Sequence, residues 1–182
     1  MNEVEGYPRV SDLKVRTVKL SASEFARAYP RPALHLVIKA RSRGGARTDK
    51  STKERSFERT AEIPPEGSHT DRYNDRIAFL DKREGNPFPH MISVGRALNN
   101  DLVIVLSTIS KLHGYFLAER DSWSFIDHRS RNGTRINDEA LPPSERRPVA
   151  DGDRIRLGLE LQAVFLLPPS LHYFLSRSSP SV

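Results

Sequence analysis

Two tight-turn signals, Asn132-Gly133 and Asp151-Gly152, stand among short runs of alternating apolar and polar residues, and that punctuation restricts the fold more than any other feature of the chain. Glycine accepts positive φ without steric penalty, so Asn-Gly and Asp-Gly mark close connections between neighbouring strands. Arg154-Ile155-Arg156-Leu157 alternates as a strand with one wet face does. From Arg76 onward the predicted strands are Arg76–Asp81, Met91–Gly95, Leu102–Ile104, Gly114–Glu119, Ser122–Asp127, Thr134–Ile136, Arg154–Leu157 and Leu161–Leu167. Short strands separated by such turns predict an all-β chain, an antiparallel β-sandwich ended by Pro168-Pro169.

The flanks read differently. Ser21-Ala22-Ser23-Glu24 has the form of a capping box and predicts a short helix from Ala22 to Tyr29, stopped by Pro30 and Pro32. Ala33 to Ala40 reads as a strand, and Ser56 to Ile63 as a further short one. Ser170 to Arg177 predicts a terminal helix that packs Leu171, Phe174 and Leu175 on the sandwich. The expected division is an N-terminal segment with a short helix (1–32), strand and basic loop (33–75), the sandwich domain (76–168), and a C-terminal helix and tail (169–182).

Composition removes several classes of function. A chain of 182 residues holds one domain with trimmings. It has no cysteine, so disulfides, thiol catalysis and cysteine zinc sites are out. No apolar run approaches the ~18 residues of a membrane span, and the first residues, Met1-Asn2-Glu3-Val4-Glu5, lack the form of a secretion signal. The expectation is a cytoplasmic protein without membrane contact. The net charge of +6 is concentrated, since residues 39–59 hold eight basic against three acidic residues. Residues 76–168 are nearly balanced, with thirteen against twelve. Phe57 is the only aromatic in the basic segment, so a base-stacking platform is missing and a solvated loop is favoured over a nucleic-acid site. A Gly-rich phosphate loop, a Gly-x-Ser-x-Gly elbow and a His-Glu-x-x-His pair are all lacking, and the six histidines have no metal-ligand spacing. Neither catalysis, a cofactor nor a metal is expected.

Three residue sets fall in predicted inter-strand loops: Gly95-Arg96, Ser110-Lys111-Leu112-His113 and Ser130-Arg131-Asn132-Gly133-Thr134. Gathered at one end of a sandwich, they offer guanidinium, hydroxyl and amide groups. A phosphorylated side chain needs that set, because it carries about −1.5 to −2 charge and three strong acceptor oxygens. The fork of arginine matches phosphate geometry and stays protonated.

With Met91 to Arg96, Asn100-Asp101, Asp127, Asn137, Leu141 and Gly152 to Gly158 added, the ordered set resembles the forkhead-associated (FHA) domain family over roughly 76–168. The resemblance implies an eleven-strand β-sandwich of the SMAD/FHA type whose loops bind phosphothreonine in a partner protein. It implies that Arg96 reaches the phosphate or braces the binding loops, that Ser110 bonds a phosphate oxygen, that Lys111 stands where the family often has arginine or another polar group, and that Asn132 bonds the peptide backbone. Gly95, His113, Gly133 and Asn137 are then structural or loop-bracing. Arg131 departs from the Thr or Ser common at its position, a change that either adds a second cation to the binding set or alters which peptides fit. The implied function is a phosphothreonine-dependent adaptor in Ser/Thr kinase signalling, its partner a threonine-phosphorylated kinase or kinase substrate. The alternatives are a phosphate-independent FHA-like adaptor and nucleic-acid binding through residues 39–59.

Overall fold

A computed structural model describes residues 6–39, 72–86, 88, 90–120 and 122–178. Eleven strands occur among them: β1 (Ala33–Ile38), β2 (Arg76–Phe79), β3 (Met91–Gly95), β4 (Leu102–Val103), β5 (Gly114–Glu119), β6 (Ser122–Asp127), β7 (Thr134–Ile136), β8 (Glu139–Leu141), β9 (Arg146–Val149), β10 (Arg154–Leu157) and β11 (Leu161–Leu166). They form a six-stranded sheet, ordered β2-β1-β11-β10-β7-β8, and a five-stranded sheet, ordered β4-β3-β5-β6-β9. All ladders are antiparallel except β3 with β4, which run parallel through Val94–Leu102 and Gly95–Val103.

Alternation puts one face of each sheet into a shared core. Leu34, Leu36, Ile155, Leu157, Leu161, Ala163 and Phe165 of the larger sheet meet Ile92, Val94, Phe116, Phe125 and Val149 of the smaller. The Phe116 ring lies 4.8 Å from Phe125 and 6.2 Å from Phe165, which ties the two layers together. Gly114 is packed so closely that a Cβ would lie 2.4 Å from the Phe125 ring and 2.5 Å from the Ile126 carbonyl, so even alanine does not fit.

Three helices cover part of the outer face of the larger sheet: α1 (Val10–Thr17), α2 (Ala22–Ala28) and α3 (Pro168–Arg177). Val10, Leu13, Phe25, Leu171 and Leu175 pack there with Ala33, Ile77 and Leu166. The capping box of α2 is present in both halves, with Glu24 N–H donating to Ser21 Oγ and Ser21 N–H to Glu24 Oε2. α3 begins two residues earlier than expected, because Pro168 and Pro169 occupy N1 and N2, where a missing N–H costs nothing.

The expected domain start at residue 76 leaves out β1, yet β1 is an interior strand paired with β11 over six residues and with β2 over four. The sheet therefore takes in residues 33–38. The strand expected at 56–63 lies outside the described residues. Among the described residues no helix is long and apolar enough to cross a membrane, and no group of three or more His, Asp or Glu side chains is placed to hold a metal.

Candidate functional site

The end of β3, the loop before β5 and the loop before β7 are tied together by their own backbones. Arg96 N–H donates to the Ser110 carbonyl at 2.9 Å, and Ala97 N–H to the Lys111 carbonyl at 3.1 Å. The Lys111 carbonyl also accepts from Asn100 Nδ2 at 2.7 Å. Gly95 permits this approach, since a Cβ there would lie 2.2 Å from the Lys111 oxygen. The third loop joins through Ser110 Oγ, which accepts from the Arg131 N–H at 3.0 Å. Positions 96, 110 and 131, distant in sequence, are thus linked by two successive hydrogen bonds.

Asn132 is held from the other side. Its Nδ2 donates to the Thr108 carbonyl at 2.8 Å, which leaves the amide oxygen to accept from a ligand. Gly133 has φ of +70° and Gly158 N–H donates to its carbonyl at 3.0 Å. Gly158, at φ +64°, lies against Thr108, so the turn after β10 closes the same end of the sandwich.

Beneath this surface sits His113, fully buried. Its Nδ1 accepts from Ser110 N–H at 3.3 Å, which assigns the ring proton to Nε2. Nε2 faces Asp127 Oδ2 at 3.8 Å. Burial lowers the imidazole pKa, while Asp127 and the Gly133 backbone pull the other way; burial prevails and the ring is neutral. Asp127 in turn accepts from Ser130 N–H at 2.8 Å, Ser130 Oγ at 2.6 Å and Thr134 Oγ1 at 2.7 Å. The carboxylate holds the loop that carries Arg131 and Asn132 to the same support as Ser110.

Asp101, at the start of β4, organises the approach to Arg96. Its carboxylate accepts from Ser93 N–H, Ser93 Oγ, Asn86 Nδ2, Lys82 Nζ and Arg83 N–H, at 2.7 to 3.1 Å. Burial raises its pKa, but these donors outweigh burial and the net shift is downward.

The outcome is a small surface carrying three cations. The side chains of Arg96, Lys111 and Arg131 are exposed and have neither hydrogen bond nor ion pair among the described residues. Ser110 and Asn132 are half-buried. Asn137, expected as a loop brace, is elsewhere. It lies at the opposite end of β7 from Gly133, in a turn where Asn137 and Asp138 have φ of 50° and 70°, and bonds Asp153 and the backbone of Arg154. Residue types drew attention to the cations and to His113, but the bonds from Thr134 to Asp127, from Ser93 to Asp101 and from Asn132 to Thr108 cross 7 to 24 residues, and no local pattern marks them.

Gly95→Ala is expected to cost about 1–3 kcal/mol by overpacking and to weaken any ligand that spans Arg96 and Ser110. Thermal melting and a binding titration of the variant test this; an unchanged pair of values would mean that the Lys111 loop is free to shift.

Residues 92–158 match the family model described as FHA domain. The chain is 37% identical over 75 residues to an E3 ubiquitin-protein ligase, rnf8, of Danio rerio, covering 38% of this chain and 16% of that one. It is 32% identical over 77 residues to the glycogen accumulation regulator GarA of Mycobacterium tuberculosis, covering 42% and 45%. The chain thus spans less than half the length of either relative. Among solved structures, the N-terminal FHA domain of S. cerevisiae Rad53p with a phosphothreonine peptide aligns at 22% identity and a TM-score of 0.44, over 50% of this chain and 83% of that one.

Proposed function

Since residues 92–158 match the FHA-domain family model, we propose that this chain is a phosphothreonine-dependent protein-interaction module that reads the product of a Ser/Thr kinase. The observation that carries this reading is that backbone hydrogen bonds join the loops of Arg96, Lys111 and Arg131 at Ser110, while all three side chains are exposed and have no hydrogen bond or ion pair among the described residues. A phosphate dianion takes Arg96 and Arg131 as charged donors and Ser110 Oγ–H as a short neutral one. The free Asn132 oxygen accepts an N–H from the peptide beside the phosphoresidue. Binding rather than catalysis is the role, in the cytoplasm, with a kinase or its substrate as partner.

The test is a pair of peptides differing only by phosphate on one threonine, drawn from a degenerate library and titrated calorimetrically. Each hydrogen bond to a charged group is worth roughly 1.5–3 kcal/mol, so two of them separate the peptides by at least about 100-fold. Equal affinities would reject the reading in favour of a phosphate-independent adaptor. Binding to DNA or RNA that vanished on deletion of 41–55 would give the basic segment a function of its own.

A further inference from the structure

A second cluster of cations lies on the outer face of the six-stranded sheet, beside the part covered by the helices. Arg135 of β7 and Arg156 of β10 are direct cross-strand partners, and Gln162 of β11 is next in the same row. Lys39, Arg154 and Asp138 complete the walls of a shallow concavity there. None of these residues belongs to the set around Ser110. Four cations face one carboxylate, and that carboxylate is engaged by Arg154 at 3.0 Å. Arg135 Nε donates to the Asp138 carbonyl at 2.8 Å. Arg156 has no such outlet: it is half-buried, and its Nε is buried without a hydrogen-bond partner among the described residues.

Both features are unfavourable in the free protein. Like charges directly opposite on adjacent strands destabilise a sheet, and a buried guanidinium N–H without an acceptor carries a desolvation penalty. One ligand chemistry removes both costs together. An oxyanion in the concavity accepts from Arg156 and screens it from Arg135, with Lys39 supplying further charge and Gln162 a neutral amide. The fork of arginine selects the tetrahedral geometry of phosphate over a spherical halide.

We propose that this concavity is a second anion site, which takes a phosphate group of the phosphomonoester class. It is independent of the phosphothreonine reading, because no residue is shared. The lining is charged and amide residues with Ile155 and no aromatic ring, which fits a phosphate group and does not suit a nucleobase.

The test uses the full chain and inorganic phosphate, titrated at constant ionic strength against chloride, while the arginine Nε–H resonances are followed by NMR. Arg156 and Arg135 are expected to shift saturably together, and the exposed Arg27 to respond at least about tenfold more weakly. Arg156→Gln should abolish the Arg135 response and Arg96→Ala should leave it intact; Arg135→Gln serves if the first variant does not fold. Glycerol phosphate and vesicles containing phosphatidic acid then distinguish a soluble ester from a lipid headgroup as the source. Indistinguishable shifts at Arg156 and Arg27, the same shifts in chloride, or loss of the response in Arg96→Ala would overturn the proposal.

Discussion

Ser110→Ala is expected to weaken binding of a threonine-phosphorylated peptide by about 10- to 150-fold while leaving the domain folded, the range that follows from losing one hydrogen bond of roughly 1.5–3 kcal/mol to a charged acceptor. The hydroxyl does two things at once. It accepts from Arg131 N–H at 3.0 Å, which fixes the third loop against the second. Its own proton stays available for a phosphate oxygen. Alanine removes both, so the effect on the ligand exceeds that on the free protein. The backbone around the substitution stays anchored, because Ser110 N–H still reaches His113 Nδ1 and the Ser110 carbonyl still accepts from Arg96. A half-exposed neutral hydrogen bond is worth only about 0.5–1.5 kcal/mol to folding, so melting should fall by a few degrees. Ser110→Thr keeps the hydroxyl and should retain most of the affinity. Titrations of the three proteins against one phosphopeptide decide the matter; wild-type affinity in Ser110→Ala would remove Ser110 from the site.

Much of this arrangement was readable before any coordinates, and the unread parts have physical causes. Arg154 to Leu157 alternates because one face is core and the other is wet, and Leu161 to Leu166 is apolar except for Gln162 because the helices cover part of its outer face, so both strands stand out. β9 does not, since Pro148 argues against a ladder; it is tolerated because β9 is an edge strand. β8 is three residues long, with only Leu141 buried, too short to show a period. α1 buries Val10, Leu13 and Thr17, one to two turns apart, but the polar residues between them dilute the pattern. The interior place of β1 is a matter of topology, since a polar stretch of sequence separates it from β2 although the two are hydrogen-bonded neighbours. At the site, turn chemistry exposed Asn132-Gly133 and residue types exposed the cations. Asp127 and Asp101 read locally as a strand end and an Asn-Asp turn. Their importance comes from the number of donors that converge on them, which only the folded chain displays.

Asp101→Ala should be the most destabilising single change at this end of the molecule, at about 3–5 kcal/mol, the cost of removing one partner of a buried charged pair. Five donors converge on the carboxylate, among them the Lys82 ammonium at 3.1 Å and the Ser93 and Arg83 backbones. Truncation leaves the Ser93 and Arg83 N–H groups without this acceptor in a place water does not readily fill, since the Asp101 side chain is fully buried, while Lys82 keeps the Met91 carbonyl and Asn86 keeps Ser93 Oγ. For a domain of this size that corresponds to a fall in melting temperature of roughly 6–20 °C. Acid should reproduce part of the effect. The folded carboxyl has a pKa below its ordinary value, because the donors outweigh burial. The unfolded chain therefore binds the proton more readily, and the stabilisation, complete above about pH 4, is lost as pH falls from there through the folded-state pKa. Asp101→Asn keeps the size of the side chain and removes its titration, so its stability should depend less on pH below 4 than that of the wild type. Chemical denaturation of the two proteins at a series of pH values between neutrality and pH 3 measures this directly. Parallel curves would show that the proton-linked stability resides elsewhere.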